Sequence, residues 1–204
     1  MESFRRVSGI AVPMLRVNID TDQITPGKEL LRGEKDGWAG TLFAGWRYRG
    51  GDREPNPDFI LNQEPWSRGQ ILLADRNFGC GSSRETAPKA LRAWGFRAVI
   101  APSFGGIFFN NSFRNGLLPV ELPIETVRRL AEAQESDPEG ARVTVDLGTQ
   151  EVTAPDDTVF SFRTPEVLRR MLFDGVDEID LTLSRAAEIG AYRARDQGAR
   201  PWAY

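Results

Sequence analysis

The stretch that decides the fold is Ile71-Leu-Leu-Ala-Asp-Arg-Asn-Phe-Gly-Cys-Gly-Ser-Ser-Arg-Glu-Thr-Ala-Pro-Lys-Ala-Leu91. Its first four residues are all apolar and predict a buried strand. A Gly-x-Gly turn follows, and a helix is expected from Ala87 to Trp94, ended by Gly95. A strand that passes through a tight turn into a helix is the repeating unit of parallel sheets.

The same alternation continues along the chain. Apolar runs at Ala98–Ala101 and Leu118–Leu122 predict two more buried strands. Helices are expected at Phe104–Asn115 and Ile124–Ser136, where apolar residues recur at helical spacing. We therefore predict an α/β protein with a mostly parallel central sheet and crossover helices.

The pattern changes after residue 141. Arg142–Leu147, Glu151–Thr153 and Thr158–Phe162 are short, alternating and separated by turn residues, which predicts an antiparallel β meander. Two helices are expected to follow, at Pro165–Phe173 and at roughly Leu183–Gln197. With no internal repeat, residues 1–204 are interpreted as a single domain.

The region before the decisive stretch is less regular. Ile10–Val17 reads as a strand that Pro13 confines to an edge or a bulge, and Asn18–Asp22 reads as a turn. Gly27–Gln70 is rich in glycine, proline and aromatic residues and is expected to be irregular. A segment of this length with little regular structure is typical of a lid or a binding loop.

Composition excludes several classes of function. The 204 residues include one cysteine and no histidine, so the chain cannot be a serine–histidine or cysteine–histidine hydrolase. One cysteine cannot supply the ligands of an iron–sulfur cluster or a structural zinc. A net charge of -3 without a basic run argues against a nucleic-acid partner. The absence of a membrane-length apolar run or a signal-peptide pattern leads us to expect a cytoplasmic protein.

Ser82, Ser83 and Arg84 form the candidate binding corner. Two hydroxyls and a guanidinium beside a helix start suit a carboxylate. The alternative is that Ser82 merely caps a helix, because Ser82-Ser-Arg-Glu85 fits a capping box. Pro88 favours a later helix start, near Glu85 or Thr86, which would leave both serines in the loop. Cys80 is better explained as a small buried residue than as a nucleophile, since no histidine can activate it.

Several ordered motifs resemble the small subunits of isopropylmalate isomerase, also called 3-isopropylmalate dehydratase, in the aconitase superfamily. The similarity covers most of the chain and suggests the bacterial two-subunit form. Its segments are Asn18-Ile-Asp-Thr-Asp-Gln-Ile-Thr-Pro26, Thr41-Leu-Phe-Ala-Gly-Trp-Arg47, Pro55-Asn-Pro-Asp-Phe-Ile-Leu-Asn62, Asn77-Phe-Gly-Cys-Gly-Ser-Ser-Arg-Glu85, Trp94-Gly-Phe-Arg-Ala-Val-Ile-Ala-Pro-Ser-Phe104 and Asn111-Ser-Phe-Arg-Asn-Gly-Leu-Leu-Pro119.

The resemblance implies a three-layer swivelling β/β/α domain that works with a large subunit. In this family a 4Fe–4S cluster, carried by the large subunit and not by this chain, acts as a Lewis acid. The family's reaction removes water from a small hydroxy diacid and returns it to the neighbouring carbon, which interconverts 2- and 3-isopropylmalate in leucine biosynthesis. The segment at about residues 27–66 would be a mobile element with the specificity loop near its start.

By motif match, Ser82 would be the catalytic base that takes a proton from carbon. Arg84 would hold a substrate carboxylate, with Ser83 and Asp22 also on the substrate. No metal ligand is expected from this chain. For Asp20 a simple turn role is preferred, and most aromatics of residues 27–66 are expected to pack as ordinary core.

One position departs from the family pattern. The histidine that usually follows Arg-Glu is replaced by Thr86, which leaves the substrate open to other substituted malates, such as dimethylmalate, citramalate or homoaconitate. A hypothesis from a different class also stays open at this point: a non-catalytic anion-binding or scaffold domain whose serines only cap a helix.

Overall fold

Strands and helices alternate between residues 71 and 136. The computed structural model describes residues 2–50 and 52–204. The strands are β1 (Arg6–Gly9), β2 (Ala11–Met14), β3 (Tyr48–Arg49), β4 (Glu54–Pro55), β5 (Ile71–Ala74), β6 (Ala98–Ala101), β7 (Leu118–Glu121), β8 (Val143–Asp146), β9 (Glu151–Thr153) and β10 (Val159–Ser161). The α-helices are α1 (Thr21–Ile24), α2 (Leu30–Asp36), α3 (Ala44–Arg47), α4 (Thr86–Trp94), α5 (Gly106–Arg114), α6 (Ile124–Ser136), α7 (Glu166–Asp174), α8 (Glu178–Leu183) and α9 (Ala186–Ala199).

The central sheet is parallel, as predicted. Its strand order is β2-β5-β6-β7, and all three neighbouring pairs run in the same direction. Pro13 lies in β2, at the edge of this sheet, where the N–H that proline lacks is not needed for a second neighbour. The edge position expected from Pro13 is therefore confirmed.

The second sheet is antiparallel and has the order β1-β8-β9-β10. The last three strands are the predicted meander. The strand that completes the sheet, β1, was not expected from the sequence. Since β1 and β2 are separated only by Ile10, one N-terminal stretch supplies an edge strand to each sheet and joins the two.

Two apolar cores lie on opposite faces of the parallel sheet. In β5, Ile71 and Leu73 point into a core shared with α6 and the antiparallel sheet. Leu72 and Ala74 point into a second core, shared with α4 and with buried residues of the segment before β5. Successive side chains of a strand face opposite sides, so a strand buried on both faces must be apolar throughout. This arrangement confirms the predicted three-layer α/β fold.

Pro88 explains where α4 begins. The helix starts at Thr86 with Glu85 as its N-cap residue, so Pro88 falls in the first turn, where helical N–H groups have no intrahelical partner. The helix ends at Gly95, whose φ of 126° lies in the range that favours glycine. The start near Glu85 or Thr86 and the end at Gly95 both agree with the prediction.

The helix expected at roughly Leu183–Gln197 is present as α9, Ala186–Ala199. Helix α8 precedes it and was not predicted; it begins where Asp177 forms a capping box with Asp180. One prediction about regular structure needs correction. The region predicted as irregular, Gly27–Gln70, contains α2, α3, the β3–β4 hairpin and short 3-10 helices.

No helix in residues 2–50 and 52–204 combines the length and the apolar character needed to cross a membrane.

Candidate active site

The candidate site residues lie in loops that follow neighbouring strands of the parallel sheet. The loop after β2 leads to Asp20, and the loop after β5 leads to Ser82. Two isolated parallel bridges, Asp20–Cys80 and Phe78–Phe104, continue the pairing beyond the strand ends. The loops after β2, β5 and β6 are therefore held side by side at the carboxyl edge, where open α/β sheets usually bind ligands.

Two glycines allow the turn that exposes the serines. Gly79 and Gly81 have φ values of 71° and 91°, in the region that side chains with a Cβ rarely adopt. A Cβ on Gly79 would also lie 2.2 Å from Cγ of Phe108 in α5. The backbone of the turn thus rests directly on the Phe108 ring, which larger residues at position 79 would prevent.

Ser82 and Ser83 are both exposed and lie in the loop before α4. Neither serine caps the helix, because the N-cap residue is Glu85, which makes no side-chain capping bond. The capping-box alternative for Ser82 is therefore wrong. In the described part of the chain, both hydroxyls are without an intramolecular hydrogen bond, so they are available to a ligand.

Helix α1 contacts the Ser82 loop at two residues and the start of α4 at a third. The Thr21 hydroxyl donates to the Ser82 carbonyl at 3.0 Å. Asp22 forms an ion pair with Arg84, whose Nη2 is 2.8 Å from Oδ1. Just past the helix, the Thr25 hydroxyl donates to the Thr86 carbonyl at 3.4 Å. The first two contacts bring Asp22, Ser82 and Arg84 together in one site, whereas the Thr25 bond goes to the first residue of α4.

Asp20 has a structural role that explains how α1 forms. Its carboxylate accepts a hydrogen bond from the backbone N–H of Gln23 at 2.7 Å, and the Gln23 side chain accepts one from the N–H of Asp20. This reciprocal pair is a capping box. The local role preferred for Asp20 is correct in kind, although the motif is a helix cap rather than a simple turn.

The guanidinium of Arg84 is held from two sides. Its Nη2 is bound to Asp22, and its Nη1 is buried without a hydrogen-bond partner in residues 2–50 and 52–204. A Cβ on Gly27 would lie 3.3 Å from Nη1, so the guanidinium rests against the backbone there. One terminal nitrogen of Arg84 is thus engaged by a carboxylate and the other is enclosed by the protein.

Cys80 and Thr86 flank the two serines on either side. Burial raises the pKa of the Cys80 thiol, and the nearby carboxylate of Asp20 raises it further. A raised pKa leaves little thiolate, so Cys80 is a poor nucleophile, as expected. At Thr86, the side-chain oxygen is buried and makes no hydrogen bond within the described residues.

The segment of residues 27–66 meets the site at its start and packs on the body further along. The rings of Phe43 and Trp46 stack at 5.4 Å, and Phe59 packs on both. The Arg47 guanidinium is buried over the Trp94 ring of α4, 4.1 Å from its centroid, and burial lowers its pKa. Buried aromatics here act as ordinary core residues, as expected for most of them.

The described residues cannot hold an iron–sulfur cluster. They contain no group of three or more histidine, cysteine, aspartate or glutamate side chains placed to bind a metal ion. The sole cysteine, Cys80, offers one thiol, whereas a cluster needs several. The possible metal ligands of the described residues therefore do not fit an iron–sulfur cluster.

Sequence reasoning missed Thr21, which joins α1 to the loop. Thr21 lies between Asp20 and Asp22, two residues that were considered, and its burial gives no signal in a single sequence. Ser103 was also missed. Its hydroxyl accepts a hydrogen bond from the N–H of Asn77 at 2.9 Å and its carbonyl accepts one from Phe78, which secures the loop from the β6 side.

Comparison with known proteins identifies related families and proteins. Residues 1–125 match the model of the aconitase C-terminal domain, and residues 129–164 match the model named LeuD_N. The chain is 50% identical to the 3-isopropylmalate dehydratase small subunit of Cupriavidus necator, over 99% of this chain and 98% of that protein. It is also 50% identical to the protein of that name from Shewanella sp. (strain ANA-3), over 96% and 97%.

A solved structure shows a similar fold. The crystal structure of 3-isopropylmalate dehydratase from Methanocaldococcus jannaschii DSM2661 superposes with a TM-score of 0.64 at 26% identity. The match covers 92% of this chain and 99% of that one. Since the curated relatives span nearly the full chain, sequence and fold point to the same family.

Proposed function

Because this chain belongs to the family of 3-isopropylmalate dehydratase small subunits, we propose that Ser82 and Arg84 are its contribution to the active site. The chain is the small subunit of the hydro-lyase that interconverts 2- and 3-isopropylmalate in leucine biosynthesis. The name of its relatives implies a large-subunit partner. The roles of the individual residues are our proposal.

The observation that supports this assignment is the pairing of an exposed hydroxyl with a held guanidinium in one short loop. Ser82 faces solvent, while Arg84, two residues further, is fixed by Asp22 and by the backbone at Gly27. A fixed guanidinium binds a planar carboxylate in a defined orientation. The carbon next to that carboxylate is then presented to Ser82 in a constant position.

We assign Ser82 as the base that takes the proton from carbon while hydroxide leaves the neighbouring carbon. Water then adds back across the double bond with the opposite orientation. A serine works as a base only when its oxygen carries negative charge, which nearby positive charge and backbone N–H groups stabilise. The positive charge of Arg84 is nearby in sequence, and the backbone N–H groups of Ser82 and Ser83 have no acceptor in the described residues.

Asp22 is assigned to orienting Arg84, and Ser83 to the substrate's polar groups. The ion pair holds Nη2 from one side, and we propose that the substrate carboxylate binds the guanidinium beside Asp22.

The iron–sulfur cluster belongs, in this proposal, to the large subunit. The donor set of the described residues does not fit a cluster, whereas relation to the aconitase family agrees with one in the complete enzyme. When bound in the partner, the cluster supplies a Lewis acid for the departing hydroxyl. A cytoplasmic location and the absence of a nucleic-acid partner stay predictions.

The start of the segment at residues 27–66 is proposed as the specificity element of a single swivel domain. Gly27 already touches the Arg84 guanidinium, so the residues that follow it lie beside the bound diacid. The family names point to isopropylmalate. Thr86 replaces the usual histidine and makes no side-chain hydrogen bond in the described structure, so we assign it no role in the reaction.

Replacing Ser82 with alanine tests the catalytic assignment. Mixed with its large subunit and a reconstituted cluster, Ser82→Ala should lose about 10²–10⁴-fold in kcat, the usual contribution of a catalytic base. Assembly and thermal stability should be unchanged, since the exposed hydroxyl has no partner within the described residues. Ser161→Ala, an exposed serine in the antiparallel sheet, is the matched control. Full activity of Ser82→Ala would remove the base assignment.

Arg84→Lys tests the carboxylate clamp separately. Lysine keeps the charge but cannot make the two-pronged contact of a guanidinium. A charge-assisted hydrogen bond contributes about 1.5–3 kcal/mol, so kcat/KM should fall roughly 10- to 150-fold, with a higher KM for both isopropylmalates. Steady-state kinetics of the assembled enzyme measures this. Kinetics equal to wild type would exclude Arg84 from substrate binding.

A further inference from the structure

We propose that Thr21 is a positioning residue, which fixes the catalytic Ser82 through a hydrogen bond to the serine's backbone carbonyl. The proposal rests on the function assigned to Ser82 above. The Thr21 hydroxyl donates to the Ser82 carbonyl at 3.0 Å, and the Thr21 N–H donates to the Cys80 carbonyl at 2.9 Å. One residue thus contacts the loop on both sides of Gly81.

The loop needs such a contact because its own backbone does little to hold it. Gly79 and Gly81, both with positive φ, flank Cys80, and glycine has more freedom to lose on ordering than any other residue. Between Cys80 and the N-cap residue of α4, two polar contacts join the loop to α1 in the described structure. They are the hydrogen bond from the Thr21 hydroxyl to the Ser82 carbonyl and the ion pair of Arg84 with Asp22. The Arg84 contact holds a side chain, whereas the Thr21 contact holds the backbone of Ser82 itself.

Thr21 is itself held firmly enough to act in this way. Its residue surface is only 2% exposed, and it begins α1, whose N-cap Asp20 makes a complete capping box. Removing a buried hydroxyl donor leaves its acceptor without a hydrogen bond, and this destabilises the local geometry. We therefore expect loss of the hydroxyl to displace Ser82 while the substrate's carboxylate remains on Arg84.

The first test replaces Thr21 with valine, which keeps the shape and removes the donor. In the assembled enzyme, Thr21→Val should lower kcat about 10- to 100-fold, the loss that follows a displacement of about 1 Å at a reacting group. KM should change little, because Arg84 and Asp22 are untouched. Thr21→Ser, which keeps the hydroxyl, should restore most of kcat. A raised KM with normal kcat would overturn the proposal.

Thr25→Val is the matched control. Thr25 is fully buried, lies at the other end of α1 and donates to the carbonyl of Thr86 at 3.4 Å. It therefore shares the burial and the type of bond but not the contact with Ser82. Its kcat should stay near wild type even if thermal stability falls. If Thr25→Val and Thr21→Val lower kcat equally, the effect is general loosening of α1, and the proposal fails.

A double-mutant cycle asks whether Thr21 acts through Ser82. In a Ser82→Ala background, Thr21→Val should cause no further loss of turnover, because there is no base left to misplace. An additional loss equal to that in wild type would overturn the proposal. Thr21→Ala, which removes the hydroxyl without a second branch, repeats the measurement should the valine variant fold poorly. Full activity of Ser82→Ala alone would instead refute the base assignment, so the two failures are distinguishable.

Discussion

Helices α1 and α8 begin in the same way and do different things. Each is opened by an aspartate that forms a capping box with the residue three positions later, Asp20 with Gln23 and Asp177 with Asp180. Yet α1 buries Thr21 and Ile24, whereas α8 buries none of its side chains. The local chemistry that starts a helix therefore does not reveal whether the helix supports a site.

The two helices also differ in what they contact. Helix α1 is bonded to a loop about sixty positions away along the chain, through a hydroxyl and an ion pair. The recorded ion pair of α8 joins Glu178 to Arg114, and both side chains are at least half exposed. Matched substitutions in the two helices can therefore separate capping, burial and site contact as sources of stability and activity.

The largest effect on stability is expected at the isoleucines. Ile24 is fully buried and Ile179 is 69% exposed. Ile24→Ala should lower the free energy of unfolding by about 2–5 kcal/mol, through lost burial and the cavity that remains. Ile179→Ala should change it by less than about 0.5 kcal/mol. Urea unfolding measures both free energies, provided that the slope of free energy against urea concentration is unchanged. Similar losses of stability in the two variants would show that α1 is no better packed than α8.

An intermediate effect is expected at the caps. Replacing an N-cap aspartate by alanine costs about 0.5–2 kcal/mol of helix stability. Asp20→Ala should reduce global stability by that amount and also lower turnover, since α1 holds the Ser82 loop. Asp177→Ala should open α8 locally and leave turnover unchanged. Hydrogen exchange distinguishes local from global opening, and equal activity of the two variants would contradict the comparison.

The smallest effect on stability is expected at the ion pairs. Asp22 is 54% and Glu178 is 58% exposed at the side chain, and such pairs contribute about 0–1 kcal/mol. Asp22→Asn and Glu178→Gln should therefore unfold almost like wild type. Asp22→Asn alone should raise KM, because Arg84 loses its orienting partner. The expected increase is roughly tenfold, which corresponds to about 1.4 kcal/mol. A lower KM would show that Asp22 competes with substrate instead.

Much of the fold was predictable because local physics dictates it. Helix α6 has the predicted bounds, and Pro88 correctly placed the start of α4 after the serines. The parallel sheet followed from apolar runs that must be buried on both faces. What failed depends on partners distant in sequence: β1 is a strand because β8 pairs with it, and no pattern within its four residues signals this.

The site was only partly predictable for the same reason. Ser82, Ser83 and Arg84 are adjacent in sequence, so their common location was assured once the helix start was known. Placing Asp22 at the same site required the family resemblance, and its ion pair with Arg84 was not predicted. The bond from Thr21 to Ser82 joins residues 61 positions apart, and neither burial nor hydroxyl direction can be derived from one sequence.

The bridges Asp20–Cys80 and Phe78–Phe104 extend the sheet pairing into the loops. Ordering a backbone residue costs roughly 1–2 kcal/mol of conformational entropy at 25 °C. In this chain that entropy is lost when the sheet folds, before any second subunit arrives. Assembly therefore need not order the stretch up to Cys80, and the entropic penalty for that stretch is smaller than for a segment that folds on binding. The residues that lead into the Ser82 loop are thus positioned before the partner binds.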